Sequence, residues 1–245
     1  MTPYELLALV AIIAVVRFGL SLRPVATASS GRSTTIAKEY LDPFIYAGIA
    51  AWLLITFVAR TYYIPSASMV PTLAVHDVLL VDKFEYRFRK PSEGDIVVFP
   101  PPIPTPDDFI KRVIGLPGER MRITKGVVYI NDQALTEPYI AQPPSYDLEI
   151  RNYSIYVNEG YGWHALDPAS ANVPPKNAWT SPNTIPPNCY FMMGDNRNDS
   201  DDSHVWGFAQ FSGNFATGPR AGEKAGFTGR AFLIFWPLSE AKILH

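Results

Sequence analysis

The sequence predicts a mainly β protein, with an antiparallel sheet tending to an open barrel or sandwich, carried behind two apolar N-terminal segments. Three observations lead there. Short β-rich runs follow one another after Arg60, Pro, Gly, Asn and Asp separate them at close spacing, and no long amphipathic helical period intervenes. The 245 residues, 47% hydrophobic and 18% charged, suffice for one domain of about 150 to 200 residues plus an anchor.

Taking the elements in order, Leu6 to Val16 is unbroken apolar sequence, and Arg17 is the only charge between Leu6 and Leu22. Pro43 to Ala59 is a second uncharged stretch, stopped by Arg60. A bilayer core of roughly 30 Å takes about 17 to 25 helical residues, so the reading is two transmembrane helices at about 6–22 and 43–59, with Arg17 snorkelling to the interface. A cleaved signal peptide is the alternative for the first run, but it wants a basic start and Met1 to Glu5 has no Lys or Arg. Arg17, Arg23, Arg32 and Lys38 lie at or between the two stretches, against Glu39. This bias marks residues between the spans as a cytoplasmic linker and puts residues 61–245 on the extracytoplasmic, periplasmic side of a multi-pass inner-membrane protein.

The strands expected after Arg60 are Asp77–Asp82, Asp95–Phe99, Phe109–Ile114, Met121–Ile123, Val127–Ile130, Tyr190–Met193 and Arg230–Trp236. Between Gln133 and Asn188 the texture changes to Pro, Tyr, Trp and Asn, which reads as an insertion from a hairpin, a coil held by aromatic contacts and remote from any chemistry. Residues 1–60 hold 5 of the 21 basic and 3 of the 23 acidic residues, leaving 16 and 20 in the domain, a net charge of −4. That balance argues against nucleic acid. A single cysteine, Cys189, excludes an intramolecular disulfide and a Cys-based zinc site.

Three segments could carry chemistry. Pro65 and Pro71 bracket Ser66-Ala67-Ser68-Met69 in a rigid, extended stretch. A serine nucleophile needs a base, and none of His76, His164, His204 and His245 lies in a recognisable triad motif. Lys111 can serve once burial lowers its pKa from about 10.4, and it stands in the apolar run Phe109 to Ile114 before a Pro117-Gly118 turn. The reading of Lys111 as a solvated charge on an outer strand face stays open from the residues alone. The third segment is Gly194 to Phe208, rich in Asp, Asn and Ser. As a calcium loop it fails, since Ser200 falls where the turn Gly belongs and Trp206 where the bidentate Glu belongs.

Together these segments resemble the type I signal peptidases, membrane-bound Ser/Lys endopeptidases. The resemblance runs from Ser66–Leu73 through Gly94–Phe99 and Ile110–Glu119 to Gly194–Phe208, in the family's order. It implies a signal-peptidase fold with Ser68 as nucleophile and Lys111 as general base. Ser66 is implied as an oxyanion donor, Ser200 as the serine that orients the lysine, and Asp202 as the brace of its loop. Where the family commonly has Arg two residues after that acid, this chain has His204, a pH-dependent partner instead of a permanent charge. The peptide is implied to add as a strand between Ile64-Pro65-Ser66 and Asp108-Phe109-Ile110, with Met69 beside it. The resemblance calls for no cofactor, no metal and no nucleic acid, and for a monomer acting on signal-peptide-bearing precursors at a lipid bilayer. The alternatives are a Ser/Lys peptidase devoted to a pilus or conjugation precursor, and a non-catalytic membrane-anchored β module.

Overall fold

The computed structural model describes residues 3–21, 28–53, 59–173 and 182–244. The chain divides into two compact units, Met1–Arg60 and Thr61–His245. In the first, helices α1 (Pro3–Ser21) and α2 (Ala28–Leu53) are joined by an ion pair from Arg17 Nε to Asp42 Oδ1 at 2.8 Å. The two expected membrane spans find no support here: among the described residues no helix is long and apolar enough to cross a membrane. α1 carries Glu5 and Arg17 within its 19 residues. Arg32, Lys38, Glu39 and Asp42 occupy the first part of α2, and within its described residues the uncharged sequence runs from Pro43 to Leu53. Residues 54–58 of the second expected span lie outside the described residues, and Ala59 already starts a strand.

The strands, in chain order, are β1 (Ala59–Tyr63), β2 (Val78–Asp82), β3 (Ile96–Phe99), β4 (Phe109–Gly115), β5 (Met121–Thr124), β6 (Val127–Ile130), β7 (Gln133–Ala134), β8 (Asp147–Arg151), β9 (Ser154–Asn158), β10 (His164–Ala165), β11 (Cys189–Met193), β12 (Ala209–Gln210), β13 (Gly229–Trp236) and β14 (Lys242–Ile243). Every strand expected from the sequence is present. One sheet runs β1-β2-β13-β3-β4-β11-β12, with β14 on β13, and the other β10-β9-β8-β5-β6-β7. Both are antiparallel in their named pairings.

Side-chain alternation divides the interior among three clusters. On β3, Ile96 and Val98 join Ile64, Met69, Leu73, Leu79 and Val81, while Val97 and Phe99 turn the other way to Val113, Tyr190, Met192 and Trp206. All four residues of β3 are buried, as befits a strand covered on both faces. The third cluster lies under the second sheet, on Ile123, Val128, Leu148, Ile155, Val157 and Phe191.

The main sheet curls. In a flat sheet β1 and β4 would stand four strand spacings apart, about 19 Å. Instead the Tyr62 hydroxyl on β1 donates to Asp108 Oδ2, just before β4, at 2.9 Å. The sheet therefore bends round until its first strand faces its fifth, the open barrel that the short strands suggested.

The coil reading of the 133–188 stretch is also corrected, since β8 and β9 form a five-pair hairpin there, with β8 laid against β5. Its Leu148, Ile150, Ile155 and Val157 are buried. Residues 174–181 of that stretch lie outside the described residues.

Candidate active site

The serine turn is built by its carbonyls. Val70 N donates to Ala67 O at 3.1 Å and Leu73 N to Met69 O at 2.9 Å, winding residues 67–73 tightly after Pro65. Met69 and Leu73 are pulled into the core and act as its anchors, leaving Ser66 exposed and Ser68 half-buried. Ser66 Oγ lies 3.3 Å from Ser68 Oγ.

Lys111 sits on β4, opposite Val97 of β3, and only 5% of it is exposed. Burial pushes its amine below the ordinary lysine value, although the carboxylates of Asp202, Asp201 and Asp195 pull the other way. Its Nζ is 5.7 Å from the Phe109 ring centroid and makes no hydrogen bond among the described residues. The bland alternative, a solvated lysine on an outer strand face, is thereby excluded.

The third segment follows β11 and binds the other two. Asn196 N donates to Ser68 O at 3.1 Å and Asn196 Nδ2 to Ala67 O at 3.2 Å. Gly194 has to be glycine by steric necessity: a Cβ there would stand 2.3 Å from Ser200 Oγ and 2.4 Å from Ser68 O. These two groups thus flank one backbone position. Ser200 Oγ is buried and has no hydrogen-bond partner among the described residues. Asp202, wholly buried, accepts from Gly194 N at 3.1 Å and from His204 N at 3.2 Å, capping α3 (Ser203–Trp206). His204 Nδ1 completes its shell at 2.6 Å. Burial would lower the His204 pKa, but the bond to Asp202 overrides it and the net shift is upward.

Sequence reasoning missed the residue that locks these parts. The Asp195 carboxylate accepts from Arg112 Nε at 2.8 Å, Arg112 Nη2 at 2.6 Å and Thr72 Oγ1 at 2.5 Å. One buried anion therefore ties the serine turn, the strand residue next to Lys111 and the third loop together. The available signal was an Arg directly after the candidate base and an Asp directly after the glycine. Glu137, Tyr139 and Tyr146, from the stretch expected to be remote, also reach the site. Glu137 is ion-paired with Arg197, whose Nε donates to Gly194 O at 3.2 Å. Tyr139 covers the Arg112 guanidinium at 4.0 Å, and Tyr146 stacks on His204 at 4.4 Å. No sequence period announces such contacts.

The expected groove walls lie together. Ile64 is buried in the cluster against which Tyr62 and Ile110 pack, and Asp108 is held by Tyr62 and, at 3.5 Å, by Thr228. Pro65 is exposed, and Phe109 packs on the cluster containing Trp206. Of the other histidines, His76 meets the Tyr63 hydroxyl, His164 is exposed on β10, and His245 lies outside the described residues. Among the described residues no group of three or more His, Cys, Asp or Glu side chains is placed to hold a metal ion.

Lys111 thus presents a buried amine, held below its ordinary value, on a strand whose next residue is linked through Asp195 to the serine turn. The family model described as signal peptidase, peptidase S26, matches residues 37–236. A probable signal peptidase I-2 of Synechocystis sp. is 40% identical over 194 residues, 77% of this chain and 68% of the relative. A signal peptidase I of Leptolyngbya laminosa is 39% identical over 191 residues, covering 75% and 72%. One of Pseudomonas aeruginosa is 33% identical over 181 residues, covering 69% and 62%.

Proposed function

The chain belongs to the signal peptidase family of peptidase S26, serine hydrolases that remove signal peptides, and from that premise we propose that Ser68 and Lys111 are its catalytic pair. The observation that carries this reading is the burial of the Lys111 amine, which holds it below the ordinary lysine value next to an Arg112–Asp195–Thr72 link to the serine turn.

The steps follow from the groups present. Neutral Lys111 accepts the Ser68 proton as Ser68 Oγ attacks the scissile carbonyl carbon. The oxyanion is met by the Ser66 hydroxyl and the Ser68 N–H. The lysine ammonium then gives its proton to the leaving amine as the C–N bond breaks. Water, deprotonated by the same amine, attacks the acyl ester and releases Ser68 and the peptide acid. Ser200, buried and otherwise unpartnered, orients the lysine, and Asp202 with His204 braces its loop.

The substrate adds as a strand between Ile64–Ser66 and Asp108–Ile110, with main-chain pairing supplying affinity and the half-buried Ile110, backed by the core residues Ile64 and Met69, favouring small side chains before the cut. The substrates are signal-peptide-bearing precursors, met on the extracytoplasmic side of a membrane with which the apolar N-terminal residues associate, by a chain acting as a monomer. No cofactor or nucleic acid enters.

The test is cleavage of a purified precursor in the presence of chelator. Activity that survives chelator and vanishes in both Ser68→Ala and Lys111→Ala is expected. Normal activity in Lys111→Ala overturns the assignment of the base.

A further inference from the structure

The turn after β2 is folded by the Asp82 carboxylate, which accepts from Phe84 N at 2.7 Å and Glu85 N at 3.1 Å and starts one 3₁₀ turn, Glu85–Arg87. That turn points Tyr86 inward, against Phe211 and Phe227, with its hydroxyl on Asp95 at 3.2 Å. Arg89 is also committed inward, at 2.7 Å from Glu85 and 2.8 Å from Asp95. The two phenylalanines are left outside. Phe84 is 40% exposed and Phe88 75%, and their rings meet edge to face at 4.8 Å, forming a small exposed apolar tip.

Cations surround this tip. Arg87 lies over the Phe84 ring at 5.5 Å, and Lys83 and Lys90 bracket the turn. Residues 83–90 carry Lys83, Arg87, Arg89 and Lys90 against Glu85, a net charge of +3, on a domain whose 16 basic and 20 acidic residues give −4. Charge of this sign, gathered round exposed rings on an otherwise acidic surface, complements a surface that is anionic and apolar just beneath. Two exposed rings among cations favour a lipid interface, which offers both an apolar layer and phosphates, over an acidic peptide, which would leave the rings in water.

We propose that the Lys83–Lys90 turn docks on an anionic lipid surface, with the Phe84 and Phe88 rings entering the headgroup boundary and Lys83, Arg87 and Lys90 on the lipid phosphates. This surface uses none of the residues assigned to catalysis, so it stands or falls separately from them.

The test uses the full chain reconstituted in vesicles with a nitroxide attached to a Phe88→Cys variant. Cys189 will not compete for the label, because it is buried and its thiol is pushed up to about 12. In vesicles one-third phosphatidylglycerol, the nitroxide should collide more with oxygen, which concentrates in lipid, than with a water-soluble nickel chelate. The reverse should hold for a Tyr161→Cys control, at a side chain 97% exposed. In pure phosphatidylcholine, or on adding Lys83→Gln, Arg87→Gln and Lys90→Gln together, the docked fraction should fall, by about fivefold in the docking equilibrium for each charge. Cleavage of a short soluble peptide should be unchanged in that variant, which shows that it folds. Equal nickel access at positions 88 and 161 in anionic vesicles overturns the proposal. So does immobilisation of the label that grows with protein-to-lipid ratio, which would mean a second copy of the chain covers the tip.

Discussion

Asp195→Asn keeps the shape of the side chain and removes one negative charge from a place water does not reach. The Asp195 side chain is 0% exposed and that of its partner Arg112 4%. The substitution leaves the Arg112 guanidinium with the Gly94 carbonyl at 2.9 Å, the Thr72 hydroxyl at 3.3 Å and the Tyr139 ring at 4.0 Å as its remaining partners. Removing one member of a buried pair costs about 3 to 5 kcal/mol, because the other is left buried and uncompensated. The partners that remain place this case near the lower end, at about 3 kcal/mol. For a domain of this size each kcal/mol moves the melting temperature by roughly 2 to 4 °C, so a fall of roughly 6 to 12 °C is expected in a thermal melt at neutral pH. Because Thr72 shares that carboxylate with Arg112, cleavage at 20 °C, where the variant is still folded, should lose kcat more than KM. Asp132→Asn is the control, since the Arg120–Asp132 pair is 63% and 61% exposed and such pairs contribute about 0 to 1 kcal/mol. An Asp195→Asn protein that melts within a degree of the parent and keeps its kcat would refute the idea that one buried anion joins the three segments.

Cleavage should rise with pH as the Lys111 amine loses its proton, the limb falling below the ordinary lysine value; a profile with its midpoint at or above about 10.4 would contradict the effect of burial. Ser66→Ala should lower kcat about 10²- to 10³-fold and leave activity measurable, as read from initial rates. The His204 pKa is raised, so the stability drawn from its protonated pairing with Asp202 is complete below about 6.5 and disappears as pH climbs through the raised value. Melting curves from pH 5.5 to 9 should therefore show the parent declining relative to His204→Gln, and parallel curves would speak against it. Tyr62→Phe, which removes the hydroxyl that holds Asp108 across the groove, should raise KM for a precursor several-fold with a smaller change in kcat, measured by steady-state kinetics.

The main sheet was legible because its strands alternate or are continuously apolar, as in Leu79 and Val81 of β2 and all of β3, and because turn residues separate them. The β8–β9 hairpin was not. Its turn is Asn152-Tyr153, whose φ values are 50° and 60°, and the second position lacks the glycine that marks such a turn in sequence. By contrast Lys125-Gly126, with φ of 50° and 78°, joins β5 to β6 and its glycine was readable. The N-terminal segments are a different case. Hydropathy sees the uncharged run from Pro43 to Ala59, but not that Ala59 begins β1, nor that Arg17 pairs with Asp42.

At the site the same division has a physical cause. Ser68, Lys111 and Ser200, the residues proposed for the chemistry, lie in short ordered motifs, as reacting groups and those that orient them tolerate little displacement and local backbone geometry is the cheapest way to limit it. Glu137 and Tyr146 only have to press on the loop from outside, and that duty can be met from any chain segment that arrives there. Here it falls to residues next to β7 and β8, the part with the weakest periodicity. Burial then decides how firmly they press: Arg197 is 0% and Glu137 5% exposed at their ion pair, and Tyr146 covers a histidine 12% exposed at its side chain. Shielded from water, these contacts hold the Gly194–His204 loop through groups that resist exchange with solvent, so its rigidity comes from the second sheet as much as from its own Asp and Asn turns. A loop of the same sequence without that sheet would keep its turns and lose the pressure that holds Asp202 under Gly194.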